Sequence, residues 1–297
     1  MNRSLKILIL GSEGFVGNNL VDGLSQNHTV FCADLIDSSN HKNYTKFDVA
    51  DSASVQNTVK DVDVVVDLVA HSLVSSIEGP VKNAQVNIMG LLNILEACTK
   101  NNIKKIIFTS ASSLIGEPKT PKVSEDHTAT PKTAYGISKL ASEHYLRLYN
   151  ELNNLNYVIF RFFNIYGPYQ KNGLIPSLYS RISQNLPLTV FGKGDQIRDY
   201  VFIEDIVPFF EKAITENIAD NKIFNMGTGN GTSILDVIDI LSKTMNIKPE
   251  IEFKDPRPGE IGNFVADTKL LSSTFGNIPS TTAEEGIKQT AEWLKNN

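Results

Sequence analysis

The chain has 297 residues, 41% hydrophobic and 21% charged, with a formal net charge of −5. That length makes one large domain, or one and a half ordinary ones, with an ample core, and mild acidity without a basic run argues against a general nucleic-acid partner. Cys32 and Cys98 have neither metal-ligand nor disulfide spacing and read as buried thiols of a reducing compartment.

Strands are predicted at 6–10, 29–33, 62–69, 104–109 and 156–163, alternating with helical patterns near 15–26, 53–59, 81–101 and 132–153. The first apolar run, residues 5–10, is short and ends in a glycine turn, so it reads as a strand and not as a signal peptide. No run approaches the roughly 20 apolar residues of a spanning helix, and the expectation is a soluble, cytoplasmic protein with no membrane partner. Strand–helix alternation implies parallel strands joined by crossover helices, hence an α/β fold with a Rossmann-like doubly wound sheet. Val64-Val65-Val66 and Ile106-Ile107-Phe108 lack polar alternation, as strands covered on both faces should.

After about residue 165 the rhythm changes: Gly, Pro and Asn become frequent and the elements shorten. No Ser- or Gly-rich linker intervenes. The expected division is a dinucleotide domain over 1–165, with some later segments interleaved, and a smaller α/β substrate lobe mainly over 166–297. A ligand is expected beyond the carboxyl ends of the strands, in a crevice between the two.

Gly11-Ser12-Glu13-Gly14-Phe15-Val16-Gly17 follows the first strand and runs into a helix. The first glycine suits a tight turn, the second lets backbone approach a pyrophosphate, and the third permits close helix–strand packing. Asp34, about twenty residues on, sits where a carboxylate accepts the ribose hydroxyls, and its charge would repel a 2′-phosphate, so NAD is expected over NADP. Tyr135 and Lys139 stand four apart in a helical stretch, which puts a phenol and an ammonium on one face. An ammonium close to a phenol stabilises the phenolate and should draw the tyrosine down towards neutrality. His71 reads as structural or cofactor-adjacent, and nothing in the chain suggests a metal.

The glycine spacing, Asp34 and Tyr135-x-x-x-Lys139 together resemble the extended short-chain dehydrogenase/reductase superfamily and, within it, the nucleotide-sugar epimerases, most closely those of the UDP-glucose 4-epimerase type. The resemblance runs from about residue 6 to residue 267. It implies that Asp48 and Val49 contact the adenine end of NAD, Leu68, Val69 and Ala70 line the cofactor, and Asn87 supports the site from its helix. Tyr135 would be the acid/base and Lys139 would bind the nicotinamide ribose. On the substrate side it implies Asn164 at the diphosphate or sugar, Gly173 and Leu174 packing on the nucleotide, and Thr189, Val190 and Phe191 pairing with uracil through backbone groups. Arg198 and Arg257 would hold the diphosphate, and Glu260 the uridine ribose. Two loop arginines in an acidic chain are natural diphosphate ligands on their own chemistry, although each has an aspartate neighbour, Asp199 or Asp255, with which it could pair instead. Phe264 falls where bulk would restrict the sugar's 2-substituent, as in forms limited to glucose and galactose. A homodimer is also implied.

One segment departs from that pattern. The family keeps a serine or threonine five residues before the glycine closing the fifth-strand motif; here that glycine is Gly116 and the position is Ala111, while Ile115 replaces a tyrosine. The lost hydroxyl removes one hydrogen bond to the reacting oxygen. Ser113 shares the face of Ala111 if the strand persists, and Ser112 could substitute only if the chain has already turned; Ser113 or a water is the expected replacement. The same two serines lack the carboxylates that sister dehydratases and decarboxylases use. The expectation is therefore 4-epimerisation of a UDP-hexose. Rival readings are a related dehydrogenase acting on another nucleotide sugar or an amino acid, and a non-catalytic NAD sensor.

Overall fold

Ile7, Leu8, Ile9 and Leu10 are each at most 2% exposed, so Lys6–Leu10 (β1) is a strand covered on both faces. It pairs in parallel with Thr29–Asp34 (β2) on one side and Val64–Asp67 (β4) on the other. Tyr44–Lys46 (β3) continues in parallel beyond β2, and Lys105–Ala111 (β5) and Asn156–Phe162 (β6) continue beyond β4. The strand Lys222–Met226 completes a seven-stranded sheet in the order Lys222–Met226, β6, β5, β4, β1, β2, β3. Strand order reverses between β1 and β4, the switch point at which doubly wound sheets bind ligands. The doubly wound sheet is the one read from the sequence.

These elements belong to a computed structural model that describes residues 4–256 and 261–297. It divides into two units: residues up to 116 with 126–162 and 207–224, and residues 117–125 with 163–206 and 225–297. The return of 207–224 to the first unit has a clear cause. Phe210 lies 4.9 Å from Phe160 of β6, centroid to centroid, and buried Lys105 donates to the carbonyls of Ala213 (3.1 Å) and Glu216 (2.8 Å) while pairing with Asp220 at 2.6 Å.

The helices of the first unit are Phe15–Leu24 (α1), Ser52–Thr58 (α2), Leu73–Glu78 (α3), Pro80–Ala84 (α4), Gly90–Lys100 (α5) and Ala134–Asn153 (α6). A π-helical turn, Gln85–Met89, joins α4 to α5, with the Gly90 N–H donating to the Gln85 carbonyl. β4 is shorter than the predicted 62–69 because Asp67 Oδ1 accepts the Val69 N–H at 3.0 Å, an Asx turn that ends the ladder. β3 and α3, with three and six residues, were too short for a periodicity to announce them.

In the second unit, three helices, Leu174–Ser183, Ile234–Met245 and Ala283–Asn296, share a core around Tyr166, Ile182, Val237, Leu241 and Ile287. Small sheets frame it: Leu188–Phe191 pairs with Ile251–Lys254, and Ile197–Arg198 lies between Thr232–Ser233 and Asn263–Phe264. No helix among the described residues is long and apolar enough to cross a membrane.

Candidate active site

The glycine-rich turn is fixed by sterics. A Cβ on Gly17 would stand 2.2 Å from the Gly11 carbonyl oxygen and 2.6 Å from Ser12 backbone, so α1 reaches the turn only with glycine there. Gly14 is the N-cap of α1 and offers no side-chain cap, which leaves first-turn N–H groups, including those of Phe15 and Val16, for an anion. Asp34 ends β2 and its Oδ2 accepts the Glu13 N–H at 3.0 Å, its Oδ1 the Leu35 N–H at 2.7 Å. The carboxylate thus holds the turn it was expected to serve, and each oxygen keeps a second lone pair for a ribose hydroxyl. Glu13 also takes the Ser39 hydroxyl at 2.5 Å, tying the loop after β2 to the turn. Asp48 is exposed, Val49 is buried against Gly90, and after β4 Leu68 and Val69 are half-buried and Ala70 is exposed. Asn87 lies in the π turn, accepts the His71 N–H at 2.7 Å and donates to Ser138 Oγ at 3.0 Å, so it fixes the chain just beyond Ala70. An uncapped helix end, a cradle that a Cβ would fill and a carboxylate at the end of β2 fit a dinucleotide.

Tyr135 opens α6. Thr133 caps that helix by accepting the Gly136 N–H at 3.0 Å. A Cβ on Gly136 would lie 2.8 Å from the Ser113 carbonyl oxygen, so this glycine brings the tyrosine's turn against residues 112–114. The strand ends at Ala111 and a 3-10 turn, Ser112–Leu114, follows. The chain has thus turned at Ser112, the condition on which Ser112 could substitute, and period-two alternation does not govern Ser113, whose backbone carbonyl faces Gly136 in the first turn of α6. Ser113 Oγ is buried with no hydrogen-bond partner among the described residues, as is His71 Nδ1.

Lys139 is 2% exposed, and its ammonium donates to the Thr109 carbonyl at 2.7 Å, 5.7 Å from the centre of the Tyr135 ring. Burial pushes Tyr135 up to about 12 and pulls Lys139 down to about 8, the latter opposed by Asp67 and Glu143. The expected fall of the tyrosine is absent from the ligand-free chain, because desolvation outweighs an ammonium engaged with a backbone carbonyl.

In the second unit, Asn164 and Leu174 are exposed and Gly173 caps the helix that Leu174 begins. Thr189, Val190 and Phe191 lie on one strand, with Val190 buried. Phe191 also lines a cavity of about 480 Å³ with Lys193, Gln196, Lys254 and Pro256. Arg198 donates to the Ile197 and Gly262 carbonyls at 2.8 and 3.3 Å. Its neighbour Asp199 is fully buried and turned to backbone: Oδ1 accepts the Thr228 N–H (2.9 Å) and hydroxyl (2.7 Å), and Oδ2 accepts the N–H groups of Gly229 (2.9 Å) and Ala266 (3.1 Å). Burial raises the Asp199 carboxyl and those four donors oppose it. Phe264 is 6% exposed and lies 5.3 Å from the Phe163 ring, the placement of a core aromatic. Arg257 and Glu260 lie outside the described residues.

The sequence profile of the NAD dependent epimerase/dehydratase family matches residues 7–227. The chain belongs to that family. A relative from Methanocaldococcus jannaschii, provisionally named a UDP-glucose 4-epimerase, is 34% identical over 98% of this chain and 99% of its own. A UDP-glucose 4-epimerase from Thermotoga maritima, solved with UDP-glucose, superposes with a TM-score of 0.91 at 29% identity, covering 98% of this chain and 99% of that one. A UDP-N-acetylglucosamine 4-epimerase from Methanobrevibacter ruminantium, in complex with UDP-N-acetylmuramic acid, gives a TM-score of 0.91 at 28% identity over 99% of both chains.

Membership makes the chain an NAD-dependent enzyme, and the turn around Gly17 is where its own backbone fits that cofactor. Sequence reasoning gave no role to three buried charges near Lys139: Asp67, Glu143 and Arg161. The signal was present. Glu143 continues the Tyr135, Lys139 spacing by four, and Arg161 interrupts the apolar run of β6, where a charge requires a partner.

Proposed function

We propose that the chain is an NAD-dependent nucleotide-sugar epimerase that inverts the 4-hydroxyl of a UDP-hexose, with UDP-glucose and UDP-galactose as its pair. The observation that carries this reading is the buried Ser113 hydroxyl, without a partner among the described residues, on a residue whose backbone packs against the turn that bears Tyr135, with Lys139 four residues on. When bound, NAD supplies a hydride acceptor that can return the hydride to either face of the sugar carbon. Tyr135 takes the 4-hydroxyl proton and gives it back, and the Ser113 hydroxyl donates a second hydrogen bond to the same oxygen, replacing the one lost at Ala111. Lys139 holds positive charge beneath the phenol and binds the nicotinamide ribose. Gly11, Gly14 and Gly17 with Asp34 hold the dinucleotide. Ser112 and Ser113 bring no carboxylate to this turn, which disfavours water elimination from the sugar.

In the second unit, Arg198 would grip the diphosphate and the strand of Thr189, Val190 and Phe191 the base, with the neighbouring cavity supporting that assignment. Phe264, packed on Phe163 in the core, does not itself support a restriction at the sugar's 2-position. A homodimer is supported by exposed apolar residues on adjoining helices, Val74 (77%), Ile77 (74%) and Val81 (71%); a monomer mass by light scattering would refute it.

The test is incubation with UDP-galactose, UDP-N-acetylgalactosamine, GDP-mannose and dTDP-glucose, with product analysis. Conversion of UDP-galactose to UDP-glucose without accumulation of free NADH is expected, with near-complete loss in Tyr135→Phe while NAD stays bound. Full turnover in that variant, or conversion of none of the four, overturns the reading.

A further inference from the structure

Four charged groups are buried in the first unit around the reacting pair, and the proposed chemistry uses only Lys139. Glu143, one helical turn on, is 1% exposed, and both its oxygens are occupied: Arg161 donates Nε to Oε1 at 2.9 Å and Nη2 to Oε2 at 2.7 Å, and Ser110 Oγ adds 2.7 Å to Oε1. A bidentate guanidinium thus matches that carboxylate from the side of β6. Asp67 is the other carboxylate. It is 2% exposed at the end of β4, and the bond its carboxylate accepts is from the Val69 N–H. Its register partner on β5 is Phe108, so the two side chains share a sheet face, and the Lys139 ammonium stands 4.5 Å over that Phe108 ring. The next residue along β5, Thr109, links both groups, its hydroxyl donating to the Asp67 carbonyl at 3.3 Å and its carbonyl accepting from Lys139.

We propose that Asp67 is the positioning residue of the catalytic pair: its carboxylate is the counter-charge that keeps Lys139 an ammonium in place under Tyr135, and it thereby sets the pH range of the reaction. The inference rests on Tyr135 and Lys139 being that pair. A buried ammonium without a counter-charge loses its proton, and with Glu143 already matched by Arg161 the remaining balance falls to Asp67. Helix α6 presents Tyr135 and Glu143, β4 presents Asp67, β6 presents Arg161 through Glu143, and β5 presents the Phe108 ring, the Thr109 carbonyl and, to Glu143, the Ser110 hydroxyl. Helix α5 presents Cys98, whose thiol is pushed up by burial first and by Asp67 second, so it stays neutral. Burial lifts Asp67 itself to about 6, so in mild acid it takes a proton and Lys139 loses its partner.

The test reads Lys139 directly in the ligand-free protein, by NMR of ε-13C-labelled lysine, with its resonance assigned by its loss in Lys139→Arg. Asp67→Asn should lower the Lys139 midpoint by about one unit or more, at least about a tenfold change in its proton affinity. The alkaline limb of kcat for UDP-galactose conversion should move by the same amount, with the KM little changed. A folded Asp67→Asn whose Lys139 midpoint does not move overturns the proposal. Should that variant fail to fold, the wild type still decides: its Lys139 resonance must report a second, acidic titration as Asp67 protonates, and a single-step curve overturns the inference. Failure to convert sugars with Lys139 responding as stated refutes the epimerase reading alone.

Discussion

Asp199→Asn is the sharpest probe of the second unit, because the substitution keeps the shape and changes only which atoms accept. Four donors converge on this buried carboxylate, two on each oxygen. If the new amide nitrogen takes the place of Oδ2, it meets the N–H groups of both Gly229 and Ala266. If it takes the place of Oδ1, it meets the Thr228 N–H and a hydroxyl that can rotate to accept. The second orientation is the cheaper and still orphans one buried N–H, at about 1–3 kcal/mol. The two surviving bonds lose their charge assistance, at about 1 kcal/mol, partly offset because a charge is no longer buried. The expected loss is about 2–4 kcal/mol, or a melting temperature lower by about 4–12 °C for a chain of this size. Urea unfolding followed by circular dichroism measures the loss, and hydrogen exchange at the Thr228 and Gly229 amides should accelerate first. A variant within about 0.5 kcal/mol of wild type would refute the claim that these four bonds hold the unit's loops together.

Gly17→Ala should cost the chain its NAD affinity and destabilise it by about 1–3 kcal/mol, since the new methyl meets backbone and not a flexible side chain; unchanged NAD titration and melting would refute the cradle. Ser113→Ala should lower kcat by about 10–100-fold with little change in KM, while Ser112→Ala leaves it near wild type; equal turnover in both variants removes Ser113 from the mechanism. Asp67 should also shape stability against pH. Its carboxyl rises from 3.8 to about 6 on folding, so between those values the native state binds more protons than the unfolded one, and stability falls as pH rises through that window. Asp67→Asn should flatten that fall in pH-resolved urea unfolding; a fall as steep as wild type's would refute the assignment.

The alternation of apolar runs and amphipathic segments carried the doubly wound sheet, because strands covered on both faces leave uninterrupted Val and Ile runs. Element ends were less legible. β4 stops at an Asx turn of Asp67, a side-chain bond that no hydrophobic period records, and β5 runs on to Ala111 because its extra pairs with Arg161 and Phe162 are tertiary. At the site, Tyr135 and Lys139 were visible by spacing, but the balance of forces on them was not. Spacing suggested that the ammonium would lower the phenol; burial, which depends on the whole fold, raises it instead. Asp199 illustrates the same limit. Adjacent to Arg198 in sequence, it looked like a possible surface partner, yet it is fully buried between two short strands and accepts from loops 29 and 67 residues away.

The π turn at Gln85–Met89 fixes more than Asn87. An extra residue per turn shifts the rotational phase of everything before it by about 100° relative to everything after it. Helices α4 and α5 therefore run on from one another while addressing different neighbours: Asn83 of α4 donates to the His71 carbonyl, and Asn93 of α5 to the Val49 carbonyl. Deleting any one residue from 85–89 would leave a smoother helix, and would turn one of those two asparagines away from its loop. This stretch of chain should tolerate substitution far better than a change in length.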